Sequence, residues 1–183
     1  EAIRELVKEL NLDLNVSVVL GDDLIDKKDE FSKLQIKEMY SNDLFPQEEK
    51  IASINAYLGA FPIAKALSEG ADIVITGRSV DSAVTLGACI YTFGWNENDY
   101  DKLATGSLAG HIIECGTQST GGNFTDWELV SKNLHEIGYP IVEVSDNGSF
   151  ICTKSKDTAG MVSFGTVAEQ MLYEIGDPQA YIL

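Results

Sequence analysis

Apolar residues recur along the first third of the chain at spacings that change from helical to strand-like and back. Residues 1–10 carry them at helical intervals with charges between them. Residues 14–20 are Val- and Leu-rich and bounded by turn residues, which is typical of a buried strand. A helix is predicted next over residues 24–34, with Asp22 or Asp23 as its N-cap. Helix, strand, helix is the alternation expected of an α/β layer.

The middle of the chain repeats this alternation. Residues 60–67 predict a helix that ends at Gly70, where a helix C-terminal glycine belongs. Residues 72–76 predict a short apolar strand, parallel to the first strand and buried. Another helix is expected to begin at Asp81 or Ser82.

Two polar segments and a long helical region complete the middle of the sequence. Residues 35–50 contain turn residues, acidic charges and a proline, and are expected to run over the surface. Residues 99–115 predict one or two helices, because Gly106 and Gly110 weaken a helix yet permit another helix to approach closely. Residues 116–126 predict a loop.

The last part of the chain carries a hairpin signal. Apolar runs at residues 141–144 and 150–153 flank Asn147-Gly148, a pair that supplies the positive φ angles of a tight turn. A final helix is predicted over residues 165–175.

These elements predict an α/β fold. We expect a predominantly parallel sheet with flanking helices and an added antiparallel β-hairpin near residues 141–153, in a single domain over residues 1–183. The chain begins in helix-like sequence without an initiator Met and stops without a polar tail. We therefore expect it to be a fragment of a longer protein.

Composition and charge narrow the classes of function. A hydrophobic content of 44% over 183 residues is enough for a sizeable core. A net charge of −16 argues against nucleic acid and anionic membrane surfaces, which bind through cationic contacts. No apolar run approaches the ~20 residues that cross a bilayer. The cysteines, Cys89, Cys115 and Cys152, are odd in number and widely spaced, which favours reduced thiols and a cytoplasmic location.

The first candidate site is the turn after the second predicted strand, at Thr76, Gly77, Arg78 and Asp81. Ligands of α/β sheets bind at the carboxyl ends of strands, and Arg78 could contact a phosphate or carboxylate there. The structural alternative is that Asp81 caps the helix and Arg78 pairs with a nearby carboxylate. Neither standard nucleotide-binding glycine motif is present in the sequence.

A second candidate lies at the entry to the 60–67 helix. Asn55 and Tyr57 flank an alanine in an otherwise apolar stretch, and both could contact substrate. A capping Asn and a half-buried Tyr explain the same pattern.

The third candidate combines His111, Glu114 and Cys115. On a helix, His111 and Cys115 are four residues apart and share a face, which suits an activated thiol nucleophile. Glu114 is the alternative general acid or base, if its apolar neighbours raise its pKa. A buried, unreactive Cys is the structural alternative. No metal is predicted, because the chain offers no second pair of ligands, although a metal-dependent lyase or hydrolase is a weaker reading.

The loop that follows is rich in hydroxyl, amide and glycine groups. Its candidate ligand-binding residues are Gln118, Thr120, Gly121, Gly122 and Asn123. Such a loop forms either a tight turn or a nest of N–H donors around an anion.

Five segments of the sequence are distinctive when taken together: INAYLGAFPIAKAL (54–67), GADIVITGRSVDSA (70–83), FGW (93–95), LAGHIIECGTQSTGGNFTDW (108–127) and the stretch 148–182. Together they resemble a known family, acyclic terpene utilisation (AtuA), in its N-terminal domain. The resemblance covers nearly the whole chain and is looser over the first fifty residues. No catalytic residue is carried over from it.

The resemblance implies a role in the catabolism of branched isoprenoids such as citronellol and geraniol through acyl-CoA intermediates. We expect an enzyme, a lyase or hydrolase acting on a branched acyl-CoA or carboxylate, with no cofactor and a small, anionic substrate. A homo-oligomer is compatible with the sequence. The alternative is a non-catalytic scaffold or assembly subunit of a catabolic complex.

Overall fold

The computed structural model describes residues 1–179 and 181, and it contains helices, a small parallel sheet and a β-hairpin. The helices of this part of the chain are α1 (Ala2–Glu9), α2 (Lys28–Lys33), α3 (Phe61–Ser68), α4 (Ala83–Phe93), α5 (Tyr100–Glu114) and α6 (Phe164–Leu172). The strands are β1 (Val16–Val19), β2 (Ile73–Thr76), β3 (Pro140–Val144) and β4 (Phe150–Lys154). The fold is therefore mixed α/β.

β1 and β2 form the parallel pair that the sequence predicts, with Val16 opposite Ile73 and Val19 opposite Thr76. The prediction of a predominantly parallel sheet is too broad, because this sheet has two strands in the described residues. The prediction that both strands are buried is wrong: the side chains of Val18 and Ile75 are 47% and 40% exposed. Parallel strands are buried when helices cover both faces of their sheet, and a two-stranded sheet is too small to be covered in this way.

β3 and β4 form the predicted antiparallel hairpin, with Val144 opposite Phe150. Its turn closes where the sequence indicates, since the Gly148 N–H donates to the Ser145 carbonyl at 2.9 Å. Gly148 has the predicted positive φ, at +89°, whereas Asn147 does not. The hairpin is tied to the helical core by Trp95, whose indole N–H donates to the Asp146 carbonyl at 2.9 Å.

The core lies where α3, α4 and α5 pack together, and small residues allow the close approach. A Cβ on Gly106 would lie 2.8 Å from the Leu86 side chain, and one on Gly110 would lie 2.7 Å from the Ser82 carbonyl oxygen. α5 is one continuous helix, so these glycines serve helix packing as the sequence suggested. The buried cluster consists of Ala60, Ile63, Ala64, Ala83, Cys89, Ile90 and Trp95.

Three local predictions need correction. The helix expected over 24–34 is a 3-10 turn at Ile25–Lys27 followed by the six-residue α2. Of the two predicted caps, Asp22 bonds to other loops, whereas Asp23 Oδ1 accepts a hydrogen bond from the Ile25 N–H at 3.1 Å at the start of the 3-10 turn. The loop expected over 116–126 begins with a 3-10 helix at Gly116–Thr120, since hydroxyl-rich sequence can close tight local hydrogen bonds.

Candidate functional site

The turn after β2 is built around the carboxylate of Asp22, which follows β1. Asp22 Oδ2 accepts the backbone N–H of Arg78 at 2.8 Å and the Asn55 side-chain amide at 3.1 Å. The hydrogen bond from the Arg78 N–H lowers the pKa of the Asp22 carboxyl below its ordinary value. Asp22 therefore joins the ends of both parallel strands to the segment before α3.

Gly77 is required by this arrangement. A Cβ built on Gly77 would lie 1.8 Å from Asp22 Oδ1, so no side chain fits there while the carboxylate keeps its place. An anionic ligand at this turn, as the sequence predicts, could bind through backbone N–H groups as well as through the guanidinium. The N–H of Arg78 is instead taken by the protein's own carboxylate, which leaves the guanidinium as the group of Arg78 that can meet a ligand.

The Arg78 guanidinium is stacked on Tyr57 and remains half exposed. Its carbon lies 4.3 Å from the centre of the Tyr57 ring, and Nη2 donates to the Tyr57 hydroxyl at 3.1 Å. Nη2 also lies 3.3 Å from Asp81 Oδ1, and 46% of the Arg78 side chain is exposed. The Tyr57 hydrogen bond and the charges of Asp81 and Glu114 raise the pKa of Arg78, so it is a permanent cation.

Asp81 is the carboxylate that pairs with Arg78, as the structural alternative for this turn predicted. It does not cap α4, whose N-cap position is Ser82 without a side-chain hydrogen bond. Thr76 is the last residue of β2, opposite Val19 in the register. The Asn55 side-chain amide donates to the Asp22 carboxylate and does not cap a helix.

An apolar pocket of about 340 Å³ opens beside this turn, between the start of α3 and the facing sides of α4 and α5. Its volume is within the ~300–1,000 Å³ range of small-molecule sites. The lining is mainly apolar and includes Ala60, Phe61, Val80, Ala83, Leu86 and Leu103. The hydroxyl-bearing residues Ser82 and Ser107 also line it.

The pocket and the Arg78 cation are connected by two parallel segments. Leu58 donates its N–H to the Arg78 carbonyl at 3.0 Å, and Val80 donates to the Leu58 carbonyl at 2.9 Å. Tyr57 and Arg78 therefore lie two residues before Gly59 and Val80, which line the pocket. Two residues of extended chain span about 7 Å, so the backbone that carries Tyr57 and Arg78 lies close to the residues that line the pocket.

His111 lies in the interior, at the end of α5. It is 5% exposed, and its backbone carbonyl accepts the side-chain amide of Gln170 from α6 at 2.8 Å. Its ring meets the Tyr181 ring edge-on, with centroids 6.4 Å apart. Nε2 of His111 and Oε1 of Gln170 are buried without a hydrogen-bond partner among the described residues.

Cys115 is hydrogen-bonded to its neighbour and is not an activated nucleophile. Its thiol donates to Glu114 Oε2 at 3.0 Å, so the contact is with the carboxylate and not with the His111 ring. Burial, followed by this hydrogen bond, raises the pKa of Cys115 to about 11. A thiol with that pKa is protonated at pH 7 and is a weak nucleophile.

The glycine loop forms the tight-turn alternative. The Gly121 N–H donates to the Gln118 carbonyl at 3.0 Å, and the Gly122 N–H donates to the Thr117 carbonyl at 2.8 Å. These donors are therefore not free to surround an anion. Thr120 is fully buried and its hydroxyl donates to the Gly138 carbonyl at 2.6 Å, whereas Gly122 and Asn123 are exposed.

Charges connect the turn after β2 to the end of α5. The charge of Glu114 acts on Arg78, as does that of Asp81. Burial raises the pKa of Tyr181, and the charges of Asp81, Glu114 and Glu174 raise it further. Glu114 therefore affects both Arg78 and Tyr181 through its charge, while the His111 ring is enclosed.

Sequence reasoning missed two residues that organise these sites. Asp22 was interpreted as a helix cap, although its place directly after the first parallel strand indicates the same sheet edge as Arg78. Gln170 lies in an apolar helix, and a lone amide among apolar residues is the signal that could have identified it.

Two further findings concern the residues that the structure describes. No group of three or more His, Cys, Asp or Glu side chains among them is placed to hold a metal ion. None of the helices in that part of the chain combines the length and the apolar character needed to cross a membrane.

Fold and site together define a mixed α/β protein with a polar turn at the carboxyl ends of two parallel strands and an apolar pocket beside it. The whole chain, residues 1–183, matches the model of the acyclic terpene utilisation family protein AtuA. The chain belongs to that family. Comparisons with curated proteins and with solved structures found no match.

Proposed function

We propose that the chain is an enzyme domain of acyclic terpenoid or branched acyl-CoA catabolism. In this proposal Arg78 and Tyr57 hold the oxygenated end of the substrate, and the pocket beside them holds its branched hydrocarbon. The observation that carries the proposal is that the half-exposed Arg78 lies two residues along the chain from Val80, which lines an apolar pocket of substrate size. The family's description, acyclic terpene utilisation, supports a branched apolar substrate.

Among the acid–base candidates His111, Glu114 and Cys115, Glu114 is the exposed one. Its charge raises the pKa of Arg78, and its carboxylate accepts a hydrogen bond from the Cys115 thiol. His111 is enclosed by α6 and Tyr181, so substrate has no open approach to its ring through these residues. We therefore assign proton transfer to Glu114 and propose a lyase or hydrolase reaction on the acyl group.

Ligand-induced stabilisation tests the proposal. Thermal unfolding of the protein would be followed with citronellol, citronellic acid and citronellyl-CoA, and at least one is expected to raise the midpoint. Gly59→Leu is expected to abolish the rise, because a Cβ at Gly59 meets nothing within 4 Å and a larger side chain can extend into the pocket. Ala88→Leu, on an exposed position of α4 that does not line the pocket, is the control. Stabilisation that survives Gly59→Leu, or is absent with every ligand, would contradict the proposal.

The parallel sheet favours a second candidate function, a scaffold or assembly subunit. Each of β1 and β2 has one partner strand among the described residues, so each keeps an unpaired edge. Exposed strand edges are places where other chains pair. Sizing and co-purification of the intact protein would test this, and a monomer that turns over a terpenoid substrate by itself would exclude it.

A further inference from the structure

We propose that the Arg78 site selects an uncharged oxygen, such as an alcohol hydroxyl or a thioester carbonyl, and disfavours carboxylates and phosphates. The inference depends on the proposed function, since it assumes that a branched substrate occupies the pocket and the Arg78 turn. It specifies the chemical class of the end that Arg78 contacts.

The first step concerns the backbone donors of the turn. An anion bound at a strand end usually takes free backbone N–H groups together with a cation. Here the Arg78 N–H is bonded to Asp22 at 2.8 Å, and Gly77 leaves no space between the turn and that carboxylate. An anionic ligand would therefore have to approach the negative charge of Asp22 without gaining this donor.

The second step concerns the charges that face the guanidinium. Asp81 lies 3.3 Å from Nη2, and Asp22 accepts a hydrogen bond from the Arg78 N–H at 2.8 Å. One positive charge is thus in direct contact with two carboxylates, so the neighbourhood is negative overall. The charge of Glu114 also raises the pKa of Arg78. A second anion would be repelled by more charge than attracts it, while a neutral oxygen would be spared that repulsion.

The third step concerns the donors that remain. A guanidinium has five N–H groups in a planar fork. Nη2 of Arg78 serves the Tyr57 hydroxyl and Asp81, and half of the side chain is exposed, so donors remain for a ligand oxygen. The Tyr57 ring beneath the guanidinium fixes the plane in which those donors point. The site can thus orient a neutral hydroxyl or carbonyl oxygen through hydrogen bonds alone.

Three ligands with the same branched chain test the proposal: citronellol, citronellic acid and citronellyl phosphate. Calorimetric titration at pH 7.5 and low salt is expected to give the alcohol about tenfold higher affinity than the carboxylate, with the phosphate weakest. The salt dependence gives a second reading. Added salt is expected to strengthen carboxylate binding by screening the repulsion, whereas at a cationic site salt would weaken it.

Asp81→Asn is the decisive variant, because it removes one carboxylate and keeps its shape. It is expected to reduce the preference for the alcohol severalfold by improving carboxylate binding. Asp101→Asn removes an equal charge from an exposed position near the start of α5, about 20 Å along the helix from Glu114, and should leave the preference unchanged.

The outcomes separate the two proposals. Tighter binding of the carboxylate than of the alcohol, weakened by salt, would overturn this inference and leave the proposed function standing. An Asp81→Asn variant with an unchanged preference would also overturn it. Failure of all three ligands to bind would contradict both proposals.

Discussion

Two polar regions of this protein use similar side chains and are built in opposite ways. Around Arg78, the charged groups are half exposed and bond to one another across the ends of β1 and β2. In the other region His111, Ser119, Thr120 and Gln170 are buried between α5, the 3-10 helix at Gly116–Thr120 and α6. The first region faces solvent beside an apolar pocket, and the second is enclosed by packing.

The difference shows what makes a polar cluster a candidate site. The sequence places more reactive residue types in the His111 region, namely a histidine, a thiol and a carboxylate. Burial removes the His111 ring from contact with solvent and raises the pKa of Cys115, so of these three groups Glu114 alone stays exposed. The Arg78 region has fewer reactive groups, yet they are accessible and adjoin a pocket of suitable size.

The largest expected effect tests how tightly the enclosed region is packed. Gly110→Ala is expected to lower the free energy of unfolding by about 3 kcal/mol, because the added methyl would meet the Ser82 backbone at 2.7 Å, where nothing can rotate away. Gly59→Ala, beside the open pocket, has nothing within 4 Å and should be close to neutral. Urea denaturation of both variants gives the comparison, and equal losses would show that α5 does not pack as described.

A smaller effect separates two adjacent residues of the enclosed region. Thr120→Val is expected to cost about 1–2 kcal/mol of stability, because it leaves the Gly138 carbonyl without its donor. Ser119→Ala is expected to cost little, since the Ser119 hydroxyl is equally buried but has no partner among the described residues. Chemical denaturation measures both values. A larger loss of stability for Ser119→Ala than for Thr120→Val would show that the Ser119 hydroxyl makes a stabilising hydrogen bond.

In the open region a substitution should affect binding and not stability. Arg78→Gln is expected to leave the thermal midpoint nearly unchanged, because the side chain is half exposed, and to weaken citronellol binding about tenfold. Lys65→Gln, at an exposed lysine of α3 that pairs with Glu69, makes the same charge change and should keep full affinity. Calorimetric titration distinguishes the two. Marked unfolding of Arg78→Gln would assign it a structural role instead.

The smallest expected effect concerns the pH dependence of the Cys115 thiol. Because its pKa is raised to about 11, alkylation by iodoacetamide should be slow at pH 7 and rise about tenfold per pH unit toward pH 11. A raised pKa also means that the unfolded chain ionises first, so any stability from the neutral thiol is lost as the pH rises between about 9 and 11.

Glu114→Gln sharpens that measurement. The substitution removes a negative charge that raises the pKa of Cys115 and leaves a neutral, weaker acceptor, so alkylation is expected to be a few times faster at pH 8. Peptide mass spectrometry can follow Cys115 with Cys152 as an internal reference in the same sample. A slower reaction of Cys115 in the variant would contradict the assigned hydrogen bond.

Much of the local structure was predictable because it depends on near neighbours. The Asn147-Gly148 turn, the glycine after α3 and the helical spacing of residues 1–10 each depend on a few adjacent residues. The prediction of a close helix contact at Gly106 and Gly110 is also confirmed, since a Cβ at either position would lie within 3 Å of Leu86 or Ser82. Sheet size and strand burial were not predictable, because they depend on which distant segments pair.

The sequence by itself determined the order of elements, the parallel pairing of β1 with β2, the hairpin and the membership of the family. Only the tertiary structure decided which polar residues are accessible. Asp22 and Arg78 are 56 residues apart and meet because two strands end at one sheet edge, whereas Gln170 covers the His111 carbonyl from a helix 59 residues away. Such long-range contacts are set by packing of the whole chain, and no local pattern of residues records them.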